Sequence, residues 1–233
     1  LSRVSFDPAR LRGLDFVLAA LFAVLTLWVS QEGLLLLDFQ EEVLSAAHPI
    51  SLLALLLSLL PPVVYLAWRG GRVQFELPQK KMAWVLKQYL FFLPVFGLVS
   101  VLNLVILRFF ELSPFQEIIY GFAGVQSALL PFTLIFVLFF IPFFEEILFR
   151  GYLFGWLASR PDYGPKRAIV FSALVFALAH EPQAWLLMAL FGALLGWVRW
   201  QSGSLRGVIM LHVLHNSLAA ITTYGYIWMV NQS

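Results

Sequence analysis

Apolar runs separated by short polar stretches set the pattern of this chain from Leu14 to Val230. A helix needs ~20 apolar residues to cross a bilayer. Seven spans are predicted: Leu14 to Val29, Ile50 to Trp68, Ala83 to Leu107, Ala128 to Leu157, Ala168 to His180, Trp185 to Val198, and Leu205 to Val230. The first and fifth are the shortest, with ends blurred by the Leu34 to Leu37 run and by Pro182. Pro61-Pro62 predicts a kink in the second, and the segment from Ser113 to Gln126 is expected to lie in the interface. The predicted fold class is all-α, a polytopic transmembrane helical bundle.

Composition supports that pattern. Of 233 residues 61% are hydrophobic and 12% charged, about half the charged share of a typical soluble domain. One soluble core of this length could not bury so much apolar surface, so membrane lipid is the expected solvent for most side chains. Cysteine is absent, which excludes disulfides, thiolate-bound metals and cysteine nucleophiles. A net charge of +2 without a long basic run excludes nucleic acid as a partner. The lysines and arginines near the span ends, from Arg3 to Arg206, fall on one side of the seven-span arrangement, with Arg108 alone on the other. The excess of positive charge places the N-terminus in the cytoplasm and the C-terminus outside, in an integral protein of the cell (plasma) membrane. The chain starts at Leu1 without a Met, so a preceding stretch is expected, and the residues present show no cleavable signal pattern. No repeat or long linker divides it. Residues 1–127 form motif-free N-terminal helices, and residues 128–233 hold the candidate chemistry.

That chemistry lies where lipid disfavours it. The fourth span reads Pro131 to Arg150 and carries Glu145, Glu146 and Arg150 within an apolar helix. Each such charge costs ~2.5 to 3.5 kcal/mol at mid-bilayer, so all three should face protein or water. Glu146 and Arg150 stand at i and i+4, the favoured acid-first order for a helical ion pair. Adjacent helix positions point ~100° apart, so Glu145 and Glu146 are not expected to face one cavity squarely. Glu145 is left without a local partner and is the candidate general base. The bland reading of the trio is a buried polar clamp between helices.

His180 closes the fifth span, followed by Glu181-Pro182. Alone it reads as a helix-terminal residue. Counted from the basic ends of their helices, however, His180 and Glu145 lie at a matching depth of roughly 21 to 22 Å, so the two side chains can meet. In the seventh span His212 and Asn216 share a face one turn apart, and His215 is displaced by ~60° from His212. This pair supplies donors suited to an oxyanion. As a lone motif it is more often polar glue between helices. His212 is only ~9 Å deep counted from Arg206, and the depths match if the Gln201 to Leu205 stretch dips into the protein. Gly151-x-x-x-Gly155 and Gly192-x-x-x-Gly196 are small-residue pairs that let membrane helices approach.

Glu145-Glu146-x-x-x-Arg150, Phe176-x-x-x-His180 and His212-x-x-x-Asn216, in order on successive apolar segments, closely resemble the CPBP family of intramembrane proteases. That family includes the type II CAAX prenyl endopeptidases, bacteriocin-processing and immunity proteins, and abortive-infection proteins. The resemblance spans about Phe139 to Ala220. It implies about seven to eight spans around an intramembrane catalytic cavity open to the cytoplasm, so a divergent or missing N-terminal span is expected. It also implies an intramembrane endopeptidase, of glutamic type or a metalloprotease. Glu145 would activate water with help from His180, His212 and Asn216 would stabilise the oxyanion, and Glu146 and Arg150 would support the site. The substrate would be a peptide or protein, one lipidated at its C-terminus among the candidates.

No cofactor is favoured. There is no His-Glu-x-x-His, and zinc on Glu145, His180 and His212 is the alternative. Two other functions compete. One is a non-catalytic membrane scaffold, assembly or immunity factor of the same fold. The other is an ion-coupled transporter, against which stands the absence of an inverted repeat.

Overall fold

The computed structural model describes residues 6–36, 49–75, 80–112 and 130–232. Among these residues the elements are helical, as the apolar runs predict: α1 (Gly13–Leu36), α2 (Pro49–Gly70), α3 (Met82–Phe109), α4 (Leu130–Ala158), α5 (Gly164–Leu178), α6 (Trp185–Ser202) and α7 (Leu205–Gln232). The segment from Ser113 to Gln126, expected in the interface, lies outside the described residues. Five helices are long and apolar enough to cross a membrane: α2, α3, α4, α6 (with the turn at Pro182 before it) and α7. α1 has 24 residues, and α5 has 15 residues, or ~22 Å of rise. The seven described helices stand where the seven spans are predicted, with α1 and α5 in the places of the two shortest.

α1 packs along α2, α5 along α6, and α6 also along α3. The candidate helix α4 is central, touching α2, α5, α6 and α7. One core cluster joins α3, α5, α6 and α7 through Tyr89, Phe176, Phe191, Leu195 and Leu211. A second joins the N-terminal segment, α1, α2 and α4 through Leu11, Leu66, Ile147 and Tyr152. Large apolar side chains such as Leu21, Trp68, Leu90, Leu98 and Phe109 are exposed instead, the surface a lipid solvent would cover.

The two glycine pairs do different work. Gly192 and Gly196 face α5, where an added Cβ would lie 3.1 Å from the Ala173 Cα and 3.5 Å from the Ile169 Cα. That is the helix approach the motif predicts. Gly151 and Gly155 instead receive Val73, from the chain after α2, and Phe6, from the N-terminal segment. Trp156 Nε1 and Arg160 Nη2 both donate to the Leu11 carbonyl, and Tyr152 donates to that of Gly71. The end of α4 is thus held by chain from the motif-free half.

Two π-helical turns interrupt α4, at Phe136–Phe140 and Ile147–Leu153, with Glu145 and Glu146 in the α-helical turn between them. The widened turns show in the Ile141 N–H donating to the Phe136 carbonyl and the Phe154 N–H to that of Phe149. Such turns are rare and collect at functional sites.

Candidate active site

His212 is the hub. Its Nδ1 lies 2.7 Å from Glu146 Oε1, and its Nε2 lies 3.7 Å from Glu145 Oε2. The two glutamates, expected to face apart, therefore address one ring. An imidazole carries a nitrogen on each of two edges, so carboxylates at adjacent helix positions can straddle it. Because a carboxylate accepts, Nδ1 carries the hydrogen toward Glu146 and Nε2 is the nitrogen left beside Glu145.

Glu146 and Arg150 are fully buried and paired at 2.9 Å through Oε1 and Nη1, as their spacing predicts. Arg150 Nη2 also donates to the Gly192 carbonyl at 3.2 Å, and its guanidinium lies 4.3 Å from the Phe176 ring centre. A buried guanidinium needs partners of this kind to offset lost hydration. Gly192 matters twice here, since a Cβ on it would come within 3.2 Å of Arg150 Nη2.

Glu145 differs from its neighbour. Its side chain keeps 15% exposure and is approached by His212 alone at ion-pair distance among the described residues.

His180 follows the last turn of α5. Its Nδ1 lies 2.7 Å from the Phe176 carbonyl, so Nδ1–H donates and Nε2 is left as an acceptor. Among the described residues no hydrogen bond or ion pair joins His180 to Glu145. The two histidines meet instead across Phe176, whose ring lies 4.6 Å from that of His180 and 5.9 Å from that of His212.

Asn216 Nδ2 donates to the Val137 carbonyl at 3.0 Å, in the first π turn. The reason lies in the next residues. In i→i+5 register the donor to Val137 would be residue 142, which is a proline without an N–H. The carbonyl that Pro142 leaves open is filled from α7. One of the two amide hydrogens of Asn216 is thereby spent and the second remains for another acceptor.

The α6–α7 turn, on which the depth of His212 depends, is packed inside the protein, with Ser202, Ser204 and Leu205 fully buried. Gly203 takes the left-handed conformation (φ 65°) that lets the chain reverse there. His215 points to a different place, with its Nδ1 3.0 Å from the Tyr89 hydroxyl and its ring stacked on Phe191 at 4.0 Å.

Tyr89 and Phe191 were not singled out as site neighbours by sequence, whereas Phe176 stands in the Phe176-x-x-x-His180 motif. Aromatic residues are too common in these spans to stand out. Among the described residues no group of three His, Asp or Glu side chains is arranged to hold a metal ion, and no hydrogen bond or ion pair brings His180 to Glu145. His212 Nδ1 is also committed to Glu146.

A family model described as Rce1-like, type II CAAX prenyl endopeptidase Rce1-like, matches residues 127–218. No curated protein and no solved structure matches the chain.

Proposed function

We propose that this chain is an intramembrane endopeptidase of glutamic type, a reading supported by the match of residues 127–218 to the type II CAAX prenyl endopeptidase Rce1-like family model. The observation that carries this reading is the Glu145–His212–Glu146 arrangement, with one carboxylate fully buried and bound and the other partly open. Glu145 removes a proton from water, and the oxygen attacks the scissile carbonyl carbon. His180, whose tautomer is set by the Phe176 carbonyl, holds that water through Nε2. The tetrahedral oxygen is met by His212 Nε2, when it carries a proton, and by the second amide hydrogen of Asn216. Collapse breaks the C–N bond, and the proton held by Glu145 passes to the leaving amine. Glu146 and Arg150 stay in place throughout and orient His212.

The substrate in this reading is a membrane-associated polypeptide with a lipidated C-terminus, cut near the cytoplasmic face. The basic ends of α2 and α4 support that side, where Arg69 pairs with Asp15 and Arg160 binds the Leu11 carbonyl.

The test is mass-spectrometric product analysis of purified protein on farnesylated and unlipidated peptides of one sequence. Wild type is expected to cut the farnesylated peptide, to keep its activity after prolonged chelation, and to lose turnover as Glu145→Gln while still extracting as a folded protein. Activity lost on chelation and restored by zinc alone would overturn the metal-free mechanism. Absence of any product would favour the scaffold reading.

A further inference from the structure

α3 belongs to the motif-free half of the chain. Its buried residues are Val85, Tyr89, Phe92, Asn103 and Leu107. Around Asn103 the helix is exposed and apolar at Val101, Leu102, Leu104 and Val105. A buried amide in such a helix needs a partner, since hydrocarbon offers none. Asn103 finds it outside its own helix, where its Nδ2 donates to the Gln183 main-chain carbonyl at 3.1 Å.

Gln183 lies in the connection between α5 and α6 that starts at Ala179-His180. His180 sits beyond the last turn of α5, so helix geometry alone does not fix where its ring goes. Three bonds do so instead. The His180 ring bonds the Phe176 carbonyl, the Trp185 indole donates to the His180 carbonyl at 2.8 Å, and Asn103 holds the connection through Gln183. The first two come from within the α5–α6 hairpin. The third ties that connection to a different helix and sets its position against the rest of the bundle.

We propose that Asn103 is a positioning residue for His180, acting through the Gln183 carbonyl. The proposal rests on the reading of His180 as the residue that holds the attacking water. It assigns the N-terminal half of the chain a part in the reaction, as the anchor of a catalytic loop.

Two measurements test it. With the farnesylated peptide, Asn103→Leu is expected to lower kcat about tenfold and leave KM within about twofold, because a displaced ring costs rate more than binding. In a His180→Ala background the same substitution should cause no further loss, since two residues acting as one unit are not additive. Asn103→Gln, which keeps an amide donor, should recover part of the rate. The second measurement is independent of turnover. The chain has four histidines, and Asn103→Leu should move the NMR ring signals of His180 and leave those of His215 in place. An equal loss in both backgrounds, or unmoved His180 signals, would overturn the proposal. If Asn103→Leu does not fold, Asn103→Ala carries the same readings. If wild type cuts no peptide, the endopeptidase reading fails by itself, and the ring signals still decide whether Asn103 positions His180.

Discussion

Glu145 and Glu146 are neighbours in sequence whose surroundings assign them unequal tasks. Glu146 is enclosed, sharing Oε1 between Arg150 Nη1 and His212 Nδ1. Replacing it with glutamine strands a buried guanidinium, a loss on the order of 3 to 5 kcal/mol when a buried pair is broken. Glu146→Gln should therefore lower the midpoint of thermal unfolding well below that of Glu145→Gln, as read by a fluorescence melt in detergent. Equal melting points would refute the division of roles. Asn216 offers a second contrast, because it serves the Val137 carbonyl as well as the proposed oxyanion. Asn216→Leu should lose both stability and turnover, the stability by about 1 to 3 kcal/mol for an orphaned buried acceptor. Adding Pro142→Ala supplies a main-chain N–H to that carbonyl. The double variant is expected to regain melting temperature and remain inactive, which separates the two duties of one amide.

At the level of elements, the close approach of α5 and α6 is what lets Arg150 reach a main-chain acceptor on α6. Gly192→Ala would press a methyl on the Ala173 backbone, Arg150 and Phe176 together, whereas Gly196→Ala meets only ordinary contact at 3.5 Å. The first should cost about 1 to 3 kcal/mol by overpacking and the second far less, measured as melting shifts side by side. Part of this was legible in the sequence. Apolar runs mark the seven helices, and i, i+4 spacing marks the Glu146–Arg150 pair, because both depend on local helix geometry. The shared imidazole was not legible, since Glu145 and Glu146 meet different edges of a ring that comes from another helix, which their own helical spacing does not reveal. Nor was the partner of Asn103 or Tyr89. A lone polar residue in an apolar helix announces that a partner is needed and says nothing of which helix supplies it.

Across the whole molecule, the motif-bearing half is held by the half without motifs. Phe6 and Val73 fill the glycine face of α4, and the Leu11 carbonyl receives Trp156 and Arg160. The division at residue 127, natural in sequence, is bridged by packing in the fold. The Glu146–Arg150 pair carries one more consequence when synthesis is considered in time. Chains enter the membrane from the N-terminus, so α4 arrives before α6 brings the Gly192 carbonyl and before α7 brings His212. In that interval the pair within α4 is the neutralisation available to Arg150 from its own helix, and it lowers the barrier to leaving the insertion machinery. Exchanging two side chains, Ile147→Arg with Arg150→Ile, keeps composition and breaks the i, i+4 spacing. In nascent chains ending at residue 160, fused to a glycosylation reporter, this exchange should reduce the membrane-integrated fraction of α4 relative to wild type. Equal integration would mean that the pair matters only after the bundle has closed.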